Sequence, residues 1–88
     1  MQKYIQRGYN DKVIELVKKT PFLAFDLDED GKTVLGYIIE KNNLFLLKKM
    51  TQLPKVDLDI LDGQFRCAAS ICLNMRNKEA LKVIFFLL

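Results

Sequence analysis

Half of the 88 residues are hydrophobic and 28% are charged, which excludes a disordered chain and leaves room for one small domain. The net charge is +3 and histidine is absent, so the usual catalytic base, metal ligand and pH switch is missing. No apolar run approaches the ~18 residues of a membrane span, and membrane insertion is not expected.

In chain order, MQKYIQRGYNDK lacks the apolar core of a secretory signal. A helix is predicted over residues 13–19 and ends at Pro21, which cannot supply the next N–H. Phe22 and Phe25, in TPFLAFDL, are expected to pack beneath the hairpin that follows. That hairpin, DLDEDGKTVLGY, resembles the front of a calcium loop, with Asp26, Asp28, Asp30 and Gly31 in ligand and turn positions. An EF-hand closes with a bidentate glutamate at its twelfth position, and Tyr37 stands there instead. A turn is the better reading: Gly31 supplies a positive φ, and short carboxylates cap turn N–H groups. No metal or cofactor is expected.

Thr33 has the chemistry of an N-cap for a helix carrying Leu35, Ile38 and Ile39 on one face. Asn42 and Asn43 interrupt it and cap a second helix bearing Leu44, Leu46, Leu47 and Met50, stopped by Pro54. A second acidic stretch, Asp57, Asp59 and Asp62, precedes a helix read as carrying both Cys67 and Cys72. Five residues apart on one helix, the two thiols point in different directions and cannot bridge, which suits a reducing compartment.

Offsetting the chain by 34 residues puts apolar positions into columns: Ile5, Ile39 and Leu73; Tyr4, Ile38 and Cys72; Val13, Leu47 and Leu81; Leu16, Met50 and Ile84; Met1, Leu35 and Ala69. Asp28 falls over Asp62, Asn43 over Asn77 and Lys48 over Lys82. A helical pattern repeating in the low thirties is that of a helix-hairpin solenoid. Helices this short must bury their stripes against the next pair.

These residues resemble the ankyrin repeat. Its D-x-x-G-x-T-P-L-H-x-A pattern matches Asp28, Gly31, Thr33, Leu35 and Ile38, with Val34 and Gly36 at the prolyl and histidyl positions. The later half of the unit resembles QRGYNDKVIELV, IEKNNLFLLKKM and LNMRNKEALKVI. The resemblance covers essentially the whole chain and implies an all-α, ankyrin-type helix-turn-helix solenoid with short hairpin loops. It forms one domain over 1–88, with approximate units 1–27 (partial), 28–61 and 62–88. The third copy departs most, with Phe65 and Cys67 at the glycine and threonine positions, and its turn is expected to be remodelled around Gly63.

By position, the resemblance nominates hairpin tips and inner-helix residues for contact with a partner protein. These are Gln6 and Arg7 in copy one, then Glu29, Asp30, Lys32, Glu40 and Lys41 in copy two. Gly63, Gln64, Arg66, Asn74 and Met75 follow in copy three. For each residue alone, solvated surface is the plainer reading, since interfaces concentrate energy in few positions. The implied function is a non-catalytic protein–protein interaction module. Nucleic acid is disfavoured, because the lysine-rich helices lack interleaved aromatic residues and sit beside acidic turns. DGKT lacks the rest of a phosphate-binding loop, and neither cysteine has a histidine to activate it.

The last residues, VIFFLL, form an apolar end with no polar cap. A piece of a longer array is the preferred explanation. A segment that self-associates through this end is the alternative. An intracellular setting is expected, cytoplasmic or nuclear. Richness in lysine, asparagine, isoleucine and leucine also suits a bacterial effector acting inside a host cell.

Overall fold

The computed structural model describes residues 2–53, 55–56, 58, 60–64 and 66–86. Those residues are all-helical: α1 (Gln2–Gln6), α2 (Asn10–Lys19), a 3-10 turn (Pro21–Ala24), α3 (Val34–Glu40), α4 (Leu44–Thr51), α5 (Ala68–Asn74) and α6 (Lys78–Phe86). Each helix packs on its sequence neighbour in the pairs α1–α2, α3–α4 and α5–α6. Inner helices also pack in the order α1, α3, α5, and outer helices in the order α2, α4, α6.

Local chemistry sets the boundaries. The Thr33 hydroxyl accepts the Gly36 N–H at 3.1 Å and starts α3, and the Asn43 side chain accepts the Leu46 N–H at 3.1 Å and starts α4. Both caps fall where the sequence puts them. After α2, Pro21 opens the 3-10 turn, where its missing N–H costs nothing. Pro54, expected to stop α4, lies outside the described residues; α4 itself ends at Thr51, with Gln52 as C-cap.

The inner helices all end in the same way. Gly8, Asn42 and Arg76 adopt φ of 75, 54 and 54°, each 34 residues from the next. In each turn two N–H groups reach back to the helix: Gly8 to Ile5 and Tyr9 to Tyr4, Asn42 to Ile39 and Asn43 to Ile38, Arg76 to Leu73 and Asn77 to Cys72. This paired bonding satisfies carbonyls that the helix end would otherwise leave open. Side-chain amides tie successive turns together, with Asn43 Nδ2 donating to Asn10 Oδ1 at 2.8 Å and Asn77 Nδ2 to Asn42 Oδ1 at 3.0 Å.

The core is centred on α3 and α4, where Ile38, Ile39, Leu46, Leu47 and Met50 are fully buried. Each contributes about 1.5–3 kcal/mol relative to exposure. Burial at equivalent positions depends on which side of its pair a residue faces. Lys3 is exposed, Tyr37 half-buried and Ile71 buried; likewise Lys12 is exposed while Leu46 and Ala80 are buried. In the opposite sense, Ile5 and Ile39 are buried while Leu73 is 63% exposed, and Val17 is buried while Phe85 is 54% exposed. The outward side of the first pair is therefore basic and that of the third apolar.

Three expectations are corrected. Leu73 aligns with two core residues but is exposed, because among the described residues no further helix covers that side of α5. Phe22 is 66% exposed rather than packed beneath the hairpin, whereas Phe25 does lie against the core. Cys67 precedes α5 as its N-cap residue, and only Cys72 is within the helix.

Candidate functional site

Two hairpins carry half of the nominated residues. In the first, Asp28 Oδ1 accepts the N–H groups of Asp30 and Lys32, both at 2.9 Å, while the Asp28 N–H reaches Lys32 O at 3.0 Å. In the second, Asp62 Oδ1 accepts from Gln64 at 2.8 Å and Arg66 at 2.9 Å, while the Asp62 N–H reaches Arg66 O at 2.9 Å. The second turn thus repeats the first and is not remodelled around Gly63. The aspartate dictates the turn by binding its own backbone. Phe65, which replaces the turn glycine, lies outside the described residues.

Gly63 has a different role. Its N–H donates to Gly31 O at 2.8 Å, joining the two hairpins. A Cβ on Gly63 would stand 2.9 Å from Gly31 Cα, so only glycine permits this approach.

The calcium-like spacing is used internally. Both oxygens of Asp28 are engaged, Oδ1 by two backbone N–H groups and Oδ2 by the Tyr37 hydroxyl. Tyr37, standing where an EF-hand would place its glutamate, instead anchors the hairpin to α3. Among the described residues no group of three or more metal-binding side chains is arranged around an ion site.

The nominated cations differ in how free they are. Lys32 Nζ lies 3.0 Å from Glu40 Oε1 and 5.5 Å from the Tyr37 ring centroid, so Lys32 and Glu40 are paired across α3. Arg66 Nε lies 3.0 Å from Asp62 Oδ2. Burial alone would raise the pKa of Asp62. The Arg66 and Gln64 N–H groups and the Arg66 guanidinium outweigh it, holding the carboxyl below its ordinary value. Arg66 is therefore built into the second hairpin. Arg7 and Lys41, both exposed, make no ion pair among the described residues.

The remaining nominated residues fall into two rows. Gln6 and Arg7, Glu40 and Lys41, and Asn74 and Met75 stand exposed at the C-terminal ends of α1, α3 and α5. Glu29, Asp30 and Gln64 stand exposed at the hairpin tips. The row at the helix ends is mixed in character, with one acid, two bases, two amides and one thioether.

Sequence reasoning did not identify a groove of ≈ 330 Å³ on the first pair's side of hairpin 28–32. It is lined by Leu23, Asp26, Leu27, Asp28, Val34 and Tyr37, together with Gln2 and Lys32. Leu27, an exposed leucine between two aspartates, was its one signal in the sequence.

The two thiols differ in acidity. The Ser70 hydroxyl, 3.4 Å from Cys67 Sγ, lowers the Cys67 pKa, while burial pushes that of Cys72 up to about 11. With no histidine in the chain, neither has the partner on which cysteine catalysis most often relies.

No protein-family model matches the chain, and neither a curated protein nor a solved structure matches it.

Proposed function

We propose that the chain is a non-catalytic protein-interaction module of the ankyrin-repeat type, a short solenoid of units near 1–27, 28–61 and 62–88. It holds a partner protein against the hairpin tips and the inner-helix ends. The observation that carries this reading is the recurrence of matching hydrogen bonds at a 34-residue offset, in hairpins 28–32 and 62–66 and in the turns at Gly8, Asn42 and Arg76. A scaffold so regular presents side chains in rows, and those at the inner-helix ends are exposed. Of the nominated cations, Arg7 and Lys41 make no ion pair among the described residues and can meet a partner, whereas Lys32 and Arg66 already have internal carboxylates.

Capture of a protein from cell lysate by the 88-residue chain, with Arg7→Glu/Lys41→Glu as control, tests the reading. Loss of the captured protein, with the melting temperature unchanged, is the expected result. Capture that survives both reversals, together with Asn74→Ala and Met75→Ala, would remove the inner-helix ends from the proposal.

A second reading rests on the exposure of Leu73 and Phe85, whose equivalents Ile39 and Val17 are buried. Under it the chain is a structural segment that self-associates through its apolar outward face. Light scattering distinguishes the two: Leu73→Lys/Phe85→Lys should convert an oligomer to a monomer under this reading and change nothing under the first. Either function suits a cytoplasmic, nuclear or host-cell setting. Among the described residues, no helix is long and apolar enough to cross a membrane.

A further inference from the structure

The groove beside hairpin 28–32 lies where, by the 34-residue offset, a preceding hairpin would sit. The residues around it do not suit such a neighbour. Glu29 occupies the position of Gly63, which can approach the preceding hairpin only because it lacks a Cβ. Lys3 and Lys12 occupy the positions of Ile71 and Ala80, which are buried when the third pair packs on the second. A helix pair seated like α5–α6 would therefore bury two ammonium groups and force a side chain into backbone. Neither is tolerated without compensation. A smaller ligand fits better.

The lining defines that ligand. Leu23, Leu27, Val34 and the Tyr37 ring provide apolar walls, and Leu27 is left half exposed. Asp26 and Asp28 line the same groove, with Glu29 and Asp30 next to it on the tip. Asp28 is committed to its own hairpin, but among the described residues the Asp26 carboxylate accepts no hydrogen bond. Lys32, the one cation in the lining, is offset by Glu40 at 3.0 Å. The local charge is acidic, and among the described residues one carboxylate stands without an internal hydrogen bond beside apolar wall.

We infer that this groove takes an arginine side chain from an extended partner segment, the guanidinium on Asp26 and the methylenes along Leu23, Leu27 and Val34. Arginine suits it better than lysine because its planar fork binds a carboxylate through two parallel N–H groups, while its stem covers apolar surface. An apolar residue next to the arginine would cover Leu27. The inference rests on the interaction-module reading and names the chemistry of the partner that hairpin 28–32 receives.

Fluorescence polarisation with fluorescein-labelled Gly-Ser-Arg-Leu-Ser-Gly, and with the same peptide carrying glutamate for arginine, tests it on the 88-residue chain. The arginine peptide should bind saturably and the glutamate peptide roughly tenfold more weakly or not at all, with added salt weakening the former. Asp26→Asn should weaken the arginine peptide by about fivefold, the scale of one exposed charge-assisted pair. Leu27→Ser should weaken it by about threefold, as loss of one partly covered apolar side chain. Both positions are exposed, so unchanged melting curves are expected, and Lys48→Glu, on the exposed side of α4, should bind the peptide as the parent does. Absence of saturation, equal affinity for the two peptides, or indifference to Asp26→Asn overturns the inference. So does self-association that Asp26→Asn abolishes, which would assign the groove to a second copy. If a lysate partner remains sensitive to Arg7→Glu/Lys41→Glu while the arginine peptide fails, the groove assignment falls and the broader reading stands.

Discussion

Hairpins 28–32 and 62–66 share one backbone hydrogen-bond pattern but differ in how it is secured. Asp28 is exposed, and its second oxygen meets the Tyr37 hydroxyl at the surface. Asp62 is buried, and its second oxygen meets the Arg66 guanidinium. The first hairpin is followed by a threonine whose hydroxyl caps α3, and the second by a cysteine that makes no cap bond to α5. The turn geometry thus depends on the aspartate, while its surroundings decide how much each copy contributes to stability.

Removing the two aspartates is the most direct way to break the comparison. Asp62→Ala leaves two part-buried N–H groups and a guanidinium without their acceptor and should cost about 2–3 kcal/mol in urea unfolding. Asp28→Ala exposes its donors to water and should cost about 1 kcal/mol. Equal losses would mean that burial does not separate the two hairpins. The Asp62 carboxyl titrates lower in the folded chain than in the unfolded one, so its contribution is complete above the unfolded pKa. It fades as pH falls through the folded value, so the gap between the parent and Asp62→Asn should narrow from about pH 5 downward.

Gly63→Ala tests the contact between the hairpins. Its Cβ would meet backbone at Gly31, which cannot rotate away, and the expected loss is about 1–3 kcal/mol by thermal or urea unfolding. A neutral result would mean the hairpins separate without penalty.

The smallest effects come from repairing the third pair toward the first two. Arg76 holds a left-handed backbone that Gly8 adopts freely and Asn42 tolerates, so Arg76→Gly should stabilise by roughly 0.5–1 kcal/mol. Cys67→Thr should restore the cap that Thr33 makes and add about 0.5–1 kcal/mol. Each appears as a rise in melting temperature, and a fall in either would show that the third pair is not a copy of the second at that position.

The features legible in the sequence were short-range ones. Thr33, Asn43, Gly31 and Pro21 act on backbone within a few residues, so residue type and spacing were enough to place them. Leu73 shows where that reasoning stops. Its column established an apolar position, but burial depends on whether another helix covers it. Gly63 was read as a substitute turn residue because its contact with Gly31 joins residues far apart in the chain. At the candidate site, Lys32 and Arg66 were nominated for partner contact by position, and their internal carboxylate partners are apparent only in three dimensions. Asp26 was read only as part of the acidic turn, and Leu27 was passed over, because a groove between helix pairs has no signature in either pair alone.

Because α3 packs against both α1 and α5, the middle pair is held from two sides and each outer pair mainly from one. Strain or heat should therefore unravel the molecule from its edges inward, leaving the central pair for last. A partner that bridged the outer pairs would act as a clasp, making the molecule hardest to open while it is engaged.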